Sequence, residues 1–218
     1  MRFIWGFLIT LMFSVSGTAS YTLAVFGDSL SNGHRLPKQD SFYAQLEQAL
    51  TDKGYDIQVL NASKSGETTT GGIRKVANLL SQKPDGVILE LGVNDSFRNT
   101  PIKNIRQNLK KLIETFQNQN IPVLLVGMKT MPNKPADYQQ QFEALYQDLA
   151  QEYDLELYPF FMDGIFESTQ VWNFKIQNDN LIPNDIHPNA QGVALMVRGI
   201  LPTVEHFLER QNIFPKGY

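Results

Sequence analysis

Five short apolar runs punctuate the chain: residues 23–26 (LAVF), 57–60 (IQVL), 87–91 (VILEL), 121–126 (IPVLLV) and, more weakly, 155–158 (LELY). Each is too short for a helix and is bounded by turn residues, the pattern of strands buried on both faces. Between them the apolar period changes to three and four. Ile102, Ile105, Leu109, Leu112, Ile113 and Phe116 form one such stripe, and Tyr138, Phe142, Leu145, Leu149 and Tyr153 another. Val193, Met196, Val197, Ile200, Val204, Phe207 and Leu208 form a third, near the C-terminus. Tyr43, Leu46 and Leu50 mark a shorter helix, and residues 67–82 read as one more. Strand and helix patterns that alternate predict an α/β fold: a three-layer α/β/α sandwich around a central parallel sheet of about five strands.

Composition narrows the partners. The chain has 218 residues, 42% of them hydrophobic, enough for a single domain over 21–218 with its own core. Residues 1–20 stand apart: Arg2, an apolar run over 3–15 (FIWGFLITLMFSV), then small residues. That order is expected of a secretory signal peptide, and the run is too short to span a bilayer. The protein is therefore expected to be periplasmic or secreted. The net charge is −3, with Lys and Arg scattered, so no nucleic-acid footprint is expected. With no cysteine in the chain, disulfides, thiolate metal sites and a cysteine nucleophile are excluded.

In parallel sheets, ligands bind beyond the carboxyl ends of the strands. The residues there are Gly27-Asp28-Ser29, Asn61-Ala62-Ser63 onward, Gly92-Val93-Asn94-Asp95 and Gly127-Met128. Ser29 fits a nucleophile if a base and oxyanion donors come near it. Of the three histidines, His206 lies inside the C-terminal helical stripe, and the short spacing of His34 from Ser29 fixes no geometry. His187, in NDIHPNAQG, stands at the entrance of the last helix, with Pro188 suited to its first position. Gly66 lets a backbone N–H approach a ligand, and Asn94 offers an uncharged amide donor. Taken singly, each of these residues has a plain structural explanation as turn or cap. Together they follow different elements of one sheet. Glu90 interrupts an apolar strand, so it is expected to accept hydrogen bonds from a nearby loop.

Four ordered blocks carry a resemblance: GDSLS at 27–31, NASKSGETT at 61–69, LGVND at 91–95 and DIHPNAQG at 185–192. The chain resembles the SGNH hydrolases, also called the GDSL esterase/lipase family, with its flavodoxin-like fold. Within the family it is similar to the bacterial periplasmic branch of thioesterase I, lysophospholipase and arylesterase. The resemblance implies that Ser29 is the nucleophile and first oxyanion donor, that Gly66 and Asn94 are the other donors, and that His187 is the base. The family usually places its acid three residues before the histidine, where this chain has Asn184; the carboxylate is Asp185, two before. Both stay open here as the group that orients the ring, with Asp185 preferred.

The substrate reading is broader. The resemblance favours medium or long acyl esters and thioesters: lysophospholipids, fatty-acyl and aryl esters, cleaved through an acyl-enzyme without metal or cofactor. Phe97, Ile102 and Met128 are candidates for an acyl groove, as are Met131 and the aromatics at 158–174. Alternatives are a carbohydrate O-acetylesterase with the same catalytic set, or a non-catalytic flavodoxin-like binding module. The expected partner is a small-molecule or lipid ester, met by a monomer in transient contact with a membrane surface.

Overall fold

A computed structural model describes residues 20–166, 179–183 and 185–217. The proposed signal segment up to residue 19, Trp172, Phe174 and Asn184 lie outside the described residues.

The five apolar runs form one parallel sheet: β1 (Tyr21–Phe26), β2 (Ile57–Asn61), β3 (Gly86–Leu89), β4 (Val123–Val126) and β5 (Glu156–Tyr158). Their order is β2-β1-β3-β4-β5. The longer helices are α2 (Phe42–Asp52), α3 (Thr69–Leu80), α5 (Ile102–Gln117), α6 (Ala136–Glu152) and α7 (Ala190–Glu209). The sheet order assigns them to layers. The step from β1 to β2 runs one way across the sheet, and the later steps run the other way. Right-handed crossovers therefore place α2 on one face and α3, α5 and α6 on the opposite face. Helix α7 returns to pack on α2, while α5 packs on both α3 and α6. Every residue of β3 and β4 is buried, which explains their unbroken apolar sequence.

Two short helices carried no periodic signal: α1 (Ser29–Asn32) and α4 (Val93–Phe97). Each lies just beyond the carboxyl end of a strand, α1 after β1 and α4 after β3. Those two strands are neighbours, paired from Leu23 with Gly86 to Phe26 with Leu89. Connections leave the sheet in opposite directions from here, so a crevice opens between them.

Candidate active site

The chain leaves β1 through Gly27 and Asp28. Asp28 caps α1, its side chain accepting from the Leu30 N–H at 3.0 Å, which places Ser29 in the first helical position. The other Asp28 oxygen, Oδ2, accepts from the Asn94 amide at 2.8 Å and so fixes the direction of that side chain. Beneath them sits Glu90. Its Oε2 accepts from the Asp28 N–H at 3.1 Å and the Ser31 hydroxyl at 2.7 Å, as its place in an apolar run led us to expect. Both carboxylates are fully buried. Burial pushes Asp28 up to about 7, against the hydrogen bonds from Leu30 and Asn94. Burial also raises Glu90, and the charge of Asp28 beside it adds to the effect.

The loop after β2 is fastened to α1. Ser63 Oγ accepts from the Gly27 N–H and donates to the Val25 carbonyl, and Asn61 donates to Asn32. At its tip Gly66 has φ of 75°, a left-handed conformation that glycine adopts without steric cost. Arg98 donates to the Gly66 carbonyl at 3.1 Å. Asp95 tethers α4 to α3, accepting from both the N–H and the hydroxyl of Thr69.

The fourth block approaches from the far end of the chain. Asn189 caps α7, its side chain accepting from the Gly192 N–H at 2.9 Å, so Pro188 does not take the first helical position expected of it. Pro188 instead bridges to Leu181, outside the helix, because a true Asx cap follows one residue later. Gly192 is required there, since the Asn180 carbonyl occupies the space of a side chain. His187 then points at Ser29, with Nε2 2.9 Å from Oγ. Its Nδ1 lies 2.6 Å from Asp185 Oδ1, an oxygen that also accepts from the Ile186 N–H at 2.7 Å. The remaining oxygen of Asp185 accepts from Arg35 at 3.2 Å.

Burial would raise Asp185, but the His187 hydrogen bond and charge and the backbone donors outweigh it and hold the carboxyl at about 2. For His187 the balance runs the other way. Desolvation, the largest effect, together with the charges of His34 and Arg35 outweighs the hydrogen bond and charge of Asp185 and holds the ring below its ordinary value, which favours the neutral imidazole. A neutral imidazole with its Nδ1 proton on a carboxylate leaves Nε2 free to accept a proton.

Ser29, Leu30, His34, Ser65, Gly66, Val93, Asn94, Phe97, Ile186 and His187 line one cleft of about 220 Å³. Thus Ser29, Gly66, Asn94, His187 and Phe97 share a cavity, and Asp185 touches His187 from behind. Met128 does not line it: at 1% exposure it belongs to the core, because the chain beyond β4 turns inward under Phe161. Ile102, the first residue of α5, also stays out of the cleft and packs half-buried on the core. Met131 likewise packs against the core, and Tyr158, Phe160, Phe161 and Phe166 are core residues. His206 pairs with Glu156 at 2.9 Å, outside the cleft. The sequence reading set His34 aside and did not single out Arg35; both reach the site through a left-handed turn at Gly33 that no periodicity announces.

Comparison with known proteins follows the same residues. The model of the GDSL-like lipase/acylhydrolase family matches residues 25–195. An arylesterase of Vibrio mimicus is 36% identical over 179 residues, covering 82% of this chain and 86% of the relative. The thioesterase 1/protease 1/lysophospholipase L1 of Escherichia coli K12 is 32% identical over 202 residues, covering 92% and 93%. Among solved structures, the psychrotrophic esterase EstA from Pseudoalteromonas sp., inhibited by monoethylphosphonate, superposes with a TM-score of 0.78 at 27% identity, covering 87% of this chain and all of that one.

Proposed function

The chain belongs to the GDSL-like lipase/acylhydrolase family and is a serine ester hydrolase, and from that premise we propose that Ser29 attacks the ester carbonyl with His187 as its base. The observation that carries the assignment is the continuous line from Asp185 Oδ1 through the His187 ring to Ser29 Oγ, with contacts of 2.6 and 2.9 Å. His187 takes the hydroxyl proton as the Oγ–carbon bond forms, then returns it to the leaving group as the tetrahedral intermediate collapses to an acyl-enzyme. Water, deprotonated by the same imidazole, releases the acid. The Ser29 and Gly66 N–H groups and the Asn94 amide are the oxyanion donors in this reading. Asp28 is a positioning residue: it holds the Asn94 amide by one N–H and leaves the other free for the substrate.

The cleft wall speaks for an acyl chain. Leu30, Val93, Phe97 and Ile186 are its apolar members, a surface suited to a medium acyl group more than to an acetylated sugar. Medium-chain acyl esters and thioesters, with lysophospholipid or aryl leaving groups, are the proposed substrates. The domain works outside the cytoplasm as a monomer in this reading, its first twenty residues serving export. No helix among the described residues is long and apolar enough to cross a membrane.

Ser29→Ala should abolish hydrolysis of p-nitrophenyl octanoate while far-UV circular dichroism stays unchanged; retained turnover would reject the nucleophile. Wild-type protein should prefer the octanoyl over the acetyl ester in kcat/KM, and the opposite preference would move the reading to a deacetylase.

A further inference from the structure

His34 has no part in the proposed chemistry, yet it stands against it. The turn at Gly33 lays the His34 ring on the His187 ring, with centroids 4.3 Å apart and planes 40° from parallel. His34, Asp185 and His187 each offer one donor atom, and the three atoms lie within 4.8 Å of one another. All three residues are half-buried, open enough for an ion to enter and enclosed enough to hold it. Arg35 occupies Asp185 Oδ2, while Oδ1 lies against His187 Nδ1. Two imidazoles and one carboxylate form a donor set that suits zinc, with a fourth position left for water.

We propose that His34, Asp185 and His187 bind a divalent transition ion, zinc being the reference ion, and that its occupation silences the esterase. Tetrahedral bonds of about 2.0 Å separate neighbouring donors by about 3.3 Å. Asp185 Oδ1 and His187 Nδ1 must therefore part slightly from 2.6 Å, and the His34 ring must swing inward. Coordination at either nitrogen of His187 removes the base. An ion on Nε2 takes the lone pair directly. An ion on Nδ1 takes the lone pair there, moves the ring proton to Nε2, and turns the acceptor of the Ser29 proton into a donor. No bond to the ion is made or broken by the ester. In this proposal the ion acts as an inhibitor.

The effect on turnover rests on the catalytic reading above; the binding does not. Zinc binding is measured first on the Ser29→Ala protein by titration calorimetry. One ion per chain is expected, with affinity falling at least tenfold when His34→Ala is added and rising when Arg35→Ala is added. Zinc should then inhibit p-nitrophenyl ester hydrolysis by the wild type over the same concentration range, reversed by a chelator. In His34→Ala, and in His34→Gln as a second variant should the first fold poorly, the inhibition curve should shift at least tenfold upward. Absence of saturable binding, equal affinity in the His34 variants, or bound zinc with undiminished turnover would each overturn the proposal. A protein that binds zinc through His34 but hydrolyses no ester would retire the catalytic reading and leave the ion site standing.

Discussion

His187 is held by opposed demands: burial and the neighbouring His34 and Arg35 disfavour its charged form, and Asp185 favours that form. Burial is the largest of these effects and the net balance lowers the ring, so it protonates below its ordinary value of 6.5. As the proposed base it must be neutral to work, so activity should be lost as the pH falls through that lowered value. The acid limb of kcat/KM against pH should therefore have its midpoint below 6.5. Asp185→Asn removes the stabilising partner, so the limb should move further down, and turnover should fall on the order of 10⁴-fold through loss of the productive tautomer. Near-wild-type turnover in that variant would hand the orienting role to Asn184. At this scale much was legible. Ser29, Gly66 and Asn94 stood after apolar runs, and His187 sat in a motif of its own. The contacts of His34 and Arg35 were not, because they depend on a left-handed turn whose direction no spacing encodes.

The elements that carry the site are the ones the pattern concealed. Helices α1 and α4 have four and five residues, too few for a 3.6-residue period to show. Their sequences read as turns because their capping residues are turn formers, Asp28 and Gly92. The longer elements were legible to within about three residues, since each exposes one face and buries the other. Between β1 and α1 the packing leaves no slack. A side chain at Gly27 would stand 2.5 Å from Glu90 Oε2, 2.6 Å from Ser31 Oγ and 2.9 Å from the Glu90 carbonyl oxygen. The last belongs to backbone and cannot rotate away. Gly27→Ala should thus destabilise by about 1–3 kcal/mol, lowering Tm by about 2–4 °C for each kcal/mol. It should also reduce kcat, because the shift passes to Asp28 and Ser29. A thermal melt with unchanged Tm would show that this junction has room.

Across the whole molecule, the site is a product of strand order. Ser29 and Asn94 meet because β1 and β3 are neighbours although β2 lies between them in sequence. Alternating apolar runs revealed a parallel sheet but not the order of its strands; that emerged only from the pairing. Helix α7 closes the arrangement by seating itself on α2 and β5. Ile200, fully buried on that helix, does not line the cleft. Ile200→Ala should cost about 2–5 kcal/mol, with esterase activity and circular dichroism lost at the same, lowered urea midpoint. Activity that disappears well before the dichroism would mean that the last helix detaches by itself.

Ser29 and His187 are separated by 158 residues. A ribosome therefore delivers the proposed nucleophile long before its proposed activator. On that proposal, a chain that displays the hydroxyl without the His187 segment has no base to activate it and should show no acyl transfer. In the proposed mechanism, turnover therefore reports that the chain has been made and folded at least as far as the segment carrying His187.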